Sequence, residues 1–188
     1  MQPPLAKMVS DACRTLQTLT AQQDAFDAIA AAAVATLKSG GKILTCGNGG
    51  SAADALHLAE ELVGRFNRNR RPLASVCLNA DPTLLTCIAN DFGYDEVFAR
   101  QIEGLAGPKD LLVCFSSSGN STNILRALAT AKQHGATSVA FLGKGGGKAR
   151  GLGHLELIVD GDDTGRIQEA HTLLLHALLE VIERDVVG

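Results

Sequence analysis

The chain reads as an α/β protein built on a parallel sheet with helices covering both faces, a three-layer αβα sandwich. Three observations predict this. Its strand-like segments, among them residues 110–115 (DLLVCF) and 137–142 (TSVAFL), are continuously apolar rather than alternating, as strands buried on both faces are. Most are followed by a polar or glycine-rich turn and then by a stretch of helical periodicity, the succession that builds a parallel sheet. With 188 residues, 46% of them apolar, the chain is long enough for one domain with a substantial core.

Taken in order, residues 4–38 are rich in Ala and Leu and predict one or two helices, stopped by Gly40 and Gly41. The first carries Leu5, Val9, Cys13 and Leu16 at helical spacing, a face suited to packing, including packing onto another subunit. The first strand opens at Lys42, runs into a turn over Gly47–Ala52, and leads to a helix from Ser51 to Val63. Leu73–Leu78 is a short second strand. Asp81-Pro82 supplies an N-cap and a proline at the first helical position; Asn90–Gly93 breaks that helix, and Tyr94–Leu105 resumes it. Asp110–Phe115 is the third strand, ending in Ser116–Ser121 and a helix over Thr122–His134. Thr137–Leu142 and Leu155–Val159 are the fourth and fifth, separated by a glycine-rich loop with Lys144, Lys148 and Arg150. A helix from Thr164 to Asp185 follows. No repeat or linker interrupts the pattern, so residues 1–188 form a single domain whose first 40 residues are a helical region suited to oligomerisation.

Composition narrows the function classes. Aromatic content of 4% with no Trp argues against base-stacking nucleic-acid binding, and a net charge of −3 gives no general attraction to phosphate backbones. Five cysteines without a CxxC pair, three of them inside apolar strand-like runs, read as small core residues of a reducing cytoplasm. No apolar run reaches the ~18 residues of a membrane span, and no signal peptide opens the chain. At this net charge, any site for an anion must therefore be local.

The stretch Lys42–Val63 (KILTCGNGGSAADALHLAEELV) is the first candidate for holding one. Its turn aims bare backbone N–H groups and a helix N-terminus at whatever lies above, which favours an anion. At about 100° per residue, Ala52, Ala55, Leu56, Leu58, Ala59, Leu62 and Val63 form an apolar arc, with Asp54, His57, Glu60 and Glu61 opposite. The turn nearly fits a dinucleotide fingerprint, but the acidic ribose ligand expected about 20 residues on is replaced by Arg and Asn, which leaves open only an NADP-like variant. A Walker loop is excluded, because no Gly-Lys-Ser/Thr follows. The second candidate is SSSGNS (116–121), whose four hydroxyls offer donors without a fixed positive charge, suiting a phosphate monoester that is held and then released; the alternative is a Ser-rich loop with an N-cap. Ser51 can join the same phosphate. The four arginines of Arg65–Pro72 admit two readings, a solvated loop or a positive rim for an anionic substrate. On the last helix, taking Gln168 as zero, Thr172 falls near 40° and His176 near 80°, on a polar stripe, whereas His171 falls among Leu175, Leu178 and Ile182 and reads as a core or interface residue.

Together, CGNGGSAADALHLAEEL, IANDFGYDEVFARQ, SSSGNS, GKGGGK and TGRIQEAH with His176 beyond resemble the sugar isomerase (SIS) domain family, closely its phosphoheptose isomerase branch, over nearly the whole chain. The resemblance implies a five-stranded, flavodoxin-like sheet, a homotetramer, and interconversion of sedoheptulose 7-phosphate and D-glycero-D-manno-heptose 7-phosphate, which feeds ADP-heptose for lipopolysaccharide or other surface glycans. It implies a phosphate seat of Ser51, Ser116, Ser117, Ser118 and Ser121, and sugar contacts from Asn48, Gly49, Gly50, Asn90, Asp91, Thr164 and Gln168. Arg65 matches a family arginine beside the site. Glu61 matches the general base and His176 the general acid. Several members bind Zn²⁺ through residues matching His57, Glu61, Gln168 and His176. Gly165 stands where some relatives carry Asp, so a contact made by that Asp is missing here.

Aldose–ketose isomerisation needs a base at carbon, an acid at oxygen and stabilisation of the enediolate, which Glu61, His176 and a metal would supply. Glu60 lies about 100° from Glu61 on the helix, toward the apolar edge, and is the poorer base. Gln168 and His176 are about 12 Å apart along a regular helix, which argues for a site at a subunit interface. The rival reading is a SIS binding module, replication-initiator-associating or sugar-phosphate-sensing; such proteins need the phosphate turn but not Glu61 and His176. A weaker rival is an isomerase or deaminase of a hexose phosphate.

Overall fold

The computed structural model describes residues 4–187, and its middle strand is β3 (Leu111–Ser116). β3 pairs in parallel with β1 (Ile43–Gly47) on one side and β4 (Thr137–Gly143) on the other. β2 (Ser75–Cys77) lies outside β1 and β5 (Leu155–Val159) outside β4, giving a five-stranded, all-parallel order β2-β1-β3-β4-β5. Successive side chains of β3 enter opposite cores, Leu111, Val113 and Phe115 in one and Leu112 and Cys114 in the other. The first core is closed by α2 (Gln23–Lys38), α3 (Gly50–Val63) and α7 (Thr164–Ile182). The second is closed by α4 (Pro82–Phe92), α5 (Ala99–Leu105) and α6 (Thr122–Gln133). The three layers and the five-stranded parallel sheet are those the unbroken apolar runs and the resemblance lead one to expect.

The N-terminal stretch forms two helices, α1 (Pro4–Thr18) and α2, separated by a 3-10 turn over Leu19–Gln22. Gln22 uses that turn to finish the sheet. Its side-chain amide donates to the Ile158 carbonyl at 2.6 Å and accepts from the Ile158 N–H at 3.3 Å, occupying the open edge of β5 where another strand would otherwise add. α1 lies against α7 but buries none of its own residues, and Leu5, Met8 and Val9 stay exposed. Residues 1–3 and 188 of the expected 1–188 domain lie outside the described residues.

Three boundaries differ from the sequence reading. Of Leu73–Leu78 only Ser75–Cys77 forms the strand, because the Leu73 N–H turns to the Leu62 carbonyl of α3. Tyr94–Leu105 is not one helix: Tyr94–Glu96 is a 3-10 turn, the buried Val97 and Phe98 tie it to the core, and α5 starts at Ala99. The last helix is regular only to Ile182, after which Glu183–Val187 widens into a π turn and carries Glu183 inward. Among the described residues no helix is long and apolar enough to cross a membrane. Cys46, Cys77 and Cys114 are buried free thiols, as their apolar surroundings predict.

Candidate active site

The strand order reverses direction between β1 and β3, the switch point at which open parallel sheets bind ligands beyond the carboxyl ends of their strands. The register pairs Gly47 with Phe115, so the turns after them, 47–51 and 116–121, stand side by side. Gly49, with φ +58°, turns the chain into α3 in a conformation that suits only glycine. Ser116 is buried and its Oγ accepts the Gly119 N–H at 3.1 Å; Ser118 Oγ accepts the Asn120 N–H at 3.3 Å. Ser121 caps the start of α6 without a side-chain cap bond, and Ser117 is half-buried beside it. The glycine-rich loop after β4 is a support for this turn. Gly119 abuts the Gly146 carbonyl and Gly147 abuts the Ser118 carbonyl, with no space for a Cβ at either position. The loop is bonded through Ala149 N–H to the Gly119 carbonyl at 2.9 Å and through Lys148 N–H to Asn120 Oδ1 at 3.1 Å.

Asn48 ties the two turns together. Its side chain and that of Asn123, 2% exposed, exchange reciprocal amide bonds of 2.8 and 3.0 Å, and its Oδ1 also accepts the Tyr94 hydroxyl at 2.9 Å. Asn79, just past β2, brackets Gly47 in the same way, accepting its N–H at 3.1 Å and donating to its carbonyl at 3.0 Å. Every polar end of these amides points at a backbone or side chain that shapes the site.

From this turn α3 and α7 run side by side in the same direction, joined at three levels. At the top the Gln168 amide lies against the α-carbon of Gly50, where a Cβ would collide with it. In the middle the Thr172 hydroxyl donates to Asp54 Oδ1 at 2.8 Å. At the bottom His57 Nε2 stands 3.4 Å from His176 Nε2 and 3.5 Å from Glu61 Oε1. This arrangement corrects the helical-wheel reading of α3. Leu56 and Val63, assigned to the apolar arc, are exposed, while Asp54 on the opposite side is buried because α7 covers it. Burial raises the Asp54 carboxyl above its ordinary value against the opposing pull of the Thr172 hydroxyl and of His57. Its Oδ2 is buried without a partner among the described residues.

The bottom level is the titratable cluster. The Phe66 ring stacks on His176 with centroids 5.5 Å apart and planes 21° apart, and His57 meets His176 edge-on. His57, Glu60 and Glu61 bring their ligand atoms within 4.8 Å of one another. Zinc held tetrahedrally at 2.0–2.1 Å places its ligand atoms about 3.3 Å apart; His57 stands at 3.4 Å from His176 and 3.5 Å from Glu61, but the group whose ligand atoms all lie together is His57, Glu60 and Glu61, without His176. Imidazole and carboxylate donors suit that ion. Gln168 is not part of this cluster within one chain: α7 is regular from Thr164 to Ile182, which leaves Gln168 about 12 Å above His176. His171 is fully buried, its Nε2 bonded to the Leu142 carbonyl at 3.2 Å, in agreement with its apolar side of the wheel.

A SIS domain model matches residues 9–143, most of the chain. The chain belongs to the SIS domain family. A phosphoheptose isomerase of Helicobacter pylori (strain HPAG1) is 51% identical over 151 residues, 80% of this chain and 79% of its own length. One from Aliarcobacter butzleri is 45% identical over 170 residues, 90% of each chain. The solved phosphoheptose isomerase of Neisseria gonorrhoeae superposes with a TM-score of 0.89 at 37% identity, covering 96% of this chain and 97% of that one. Within the SIS family the chain therefore stands with the phosphoheptose isomerases, and it is an enzyme of the isomerase type.

The remaining residues that SIS motifs point to are spread around this frame. Asn90 and Asp91 stand exposed on the last turn of α4, tied to the turns through Tyr94 after Gly93. Thr164 is the exposed first residue of α7, behind the N-cap Asp163, whose carboxylate accepts the N–H of Gly165 at 2.8 Å. Arg65 is exposed just past α3. The arginine run splits between its two readings: Arg65, Arg68 and Arg71 are exposed, while the Arg70 side chain is 0% exposed and paired with Glu183. Asn123, Tyr94, Asn79 and Phe66 were not picked out from sequence as site residues, and Thr172 only by its place on the polar stripe of the last helix. Each acts through a partner far along the chain.

Proposed function

We propose that this SIS isomerase interconverts D-sedoheptulose 7-phosphate and D-glycero-D-manno-heptose 7-phosphate through an enediol(ate), with Glu61 as base and His176 as acid. The observation that carries the reading is the geometry of the α3/α7 pair. An anion seat free of fixed positive charge lies at one end and an acid/base cluster at the other. The rise of α3 from Gly50 to His57 is about 10.5 Å, the order of length of a linear seven-carbon phosphate.

In this reading the phosphate is held by Ser51, Ser116, Ser117, Ser118 and Ser121 with the N–H groups of the adjoining turns and the N-termini of α3 and α6. Asn48, Gly49 and Gly50 form the floor, and Gln168, Thr164, Asn90, Asp91 and Arg65 surround the sugar. Glu61 takes the proton from the carbon next to the carbonyl and returns it to the neighbouring carbon, while His176 gives a proton to the carbonyl oxygen and recovers one from the adjacent hydroxyl. The exchange is internal, so no net proton or electron is gained or lost. His57, Glu61 and His176 would hold a Zn²⁺, one per subunit; when bound, it supplies Lewis-acid polarisation of the substrate oxygens. Gln168 joins them only if supplied by another chain, which fits a homotetramer with sites at subunit interfaces and with the exposed face of α1 covered. A cytoplasmic place in the supply of ADP-heptose for lipopolysaccharide or another surface glycan follows from the substrate.

The test is formation of the aldose from sedoheptulose 7-phosphate by the purified protein, with and without a chelator. Turnover abolished by Glu61→Gln in a folded protein is the expected result. Absence of turnover together with tight binding to a partner protein would replace the enzyme by a binding module.

A further inference from the structure

The arginine-rich segment after α3 holds a device that the chemistry above leaves unused. Arg70 and Glu183 form an ion pair, Nε to Oε1 at 2.9 Å, with side chains 0% and 3% exposed. The rest of the guanidinium is spent on backbone. Nη2 donates to the carbonyl of Glu61 at 2.6 Å, and Nη1 donates to that of Leu62 at 2.9 Å and that of Arg71 at 3.1 Å. The first two belong to the last turn of α3, where helix carbonyls lack an intrahelical donor. The Glu183 carboxylate is filled from the other side by three successive N–H groups, Phe66 at 3.1 Å and Asn67 and Arg68 at 3.0 Å.

We propose that Arg70 and Glu183 are positioning residues for the acid/base pair, an internal clamp that sets the Glu61 carbonyl from one end and the Phe66 ring on His176 from the other. This rests on the assignment of Glu61 and His176 given above. Glu183 lies seven residues beyond His176 on the same α-to-π segment, so one ion pair locks the end of α3, the loop 65–70 and the end of α7 into one unit. Removing charges from water is costly, and a pair of well-packed apolar side chains is often as stabilising as a buried ion pair. What this pair adds is direction, through the fixed fork of the guanidinium and a carboxylate nested by consecutive N–H groups. Burial alone would raise the Glu183 carboxyl; the N–H groups of Asn67, Arg68 and Phe66 and the Arg70 side chain outweigh it and hold the group below its ordinary value, so it stays charged. The ring of Phe66 then fixes the plane of His176, whose Nε2 faces His57.

The deciding experiment compares wild type, Glu183→Gln and Phe66→Leu in protein carrying ¹³C-labelled histidine, with His176→Asn used to assign the ring signal. In the wild type the stacked Phe66 shields the His176 ring protons. Glu183→Gln is expected to remove that shielding and lower kcat by roughly 10- to 100-fold, the scale of a small misplacement of a reacting group, with KM for sedoheptulose 7-phosphate within about twofold. Phe66→Leu, which leaves the ion pair in place, should give the same spectral change and a fall in kcat with little change in melting temperature. A folded Glu183→Gln protein with the wild-type His176 signal, or with the signal moved and kcat unchanged, overturns the proposal. Should Glu183→Gln not melt cooperatively, Arg70→Lys supplies the same two readings. If the wild type fails to isomerise sedoheptulose 7-phosphate, the functional reading falls, and the His176 signal in the variants still decides whether the clamp positions the ring.

Discussion

The two ends of the α3/α7 pair are built on different principles. The turn end is made of neutral groups: serine hydroxyls, backbone N–H groups and the side-chain amides of Asn48, Asn79 and Asn123, closed on one another by bonds of 2.8–3.1 Å. The lower end is made of ionisable groups, His57, Glu61 and His176, held from behind by the buried Arg70–Glu183 pair. A neutral cradle would hold a phosphate without a fixed countercharge that would slow its release. Acid/base chemistry needs groups that change charge, and these need a rigid frame to keep them in reach of one another. The turn end should therefore fail in binding when damaged, and the lower end in turnover.

The strongest test of that contrast is Glu61→Gln. It keeps the shape and loses the proposed base, so isomerisation should drop by about 10²- to 10⁴-fold with melting temperature and KM close to wild type; a large rise in KM with kcat preserved would break the distinction. Next in size is the effect of acid on the core histidine between the two ends. Burial, against the opposing bond to the Leu142 carbonyl, lowers the His171 pKa from 6.5 to about 4, and Nδ1 has no partner among the described residues. The unfolded chain therefore takes up this proton first as pH falls. Stability should decline from pH 6.5 to about 4 and level off below, a loss of about 3 kcal/mol from this group. Urea unfolding of wild type and His171→Gln across that range should show the variant with the shallower slope, and equal slopes would refute the assignment.

Two smaller changes probe the turn end. Asn123→Ala strands the Asn48 amide N–H and leaves its oxygen only the Tyr94 hydroxyl, so unfolding free energy should fall by about 1–3 kcal/mol and KM should rise while kcat changes little. Tyr94→Phe removes one hydroxyl from an exposed ring, whose bond to Asn48 is worth about 0.5–1.5 kcal/mol, so melting temperature should fall by a few degrees at most and KM should rise with kcat little changed. A fall in kcat larger than the rise in KM in either variant would erase the division of labour between the ends.

Much of the site was legible because its parts are local. CGNGGS and SSSGNS each combine a buried strand, a turn that glycine permits and a helix start within a few residues, and the pairing of Gly47 with Phe115 follows from the parallel order. His57 and Glu61 share a helix face, and His176 and His171 separate by angle alone. The boundary of β2 and the break at Tyr94–Glu96 were less legible, because an edge strand ends where α3 takes its N–H and the break depends on where Val97 and Phe98 find a core. The face of α3 was misjudged at Leu56 and Val63, and the burial of Asp54 was not foreseen, since periodicity reports polarity but not which neighbour arrives. Arg70 was legible only as one of four arginines; its burial depends on Glu183, 113 residues away.

The sequence by itself determined the parallel sheet, the two anion-favouring turns, and the residue types capable of acid/base work, because those follow from short-range sterics, periodicity and side-chain chemistry. Only the tertiary structure decided that α3 and α7 run side by side, that His176 meets His57 while Gln168 stays with Gly50, and that Arg70 and Glu183 close behind the pair. The physical reason is distance along the chain. These contacts join elements more than 100 residues apart, and their geometry is set by how helices seat on a shared sheet, which no local pattern encodes.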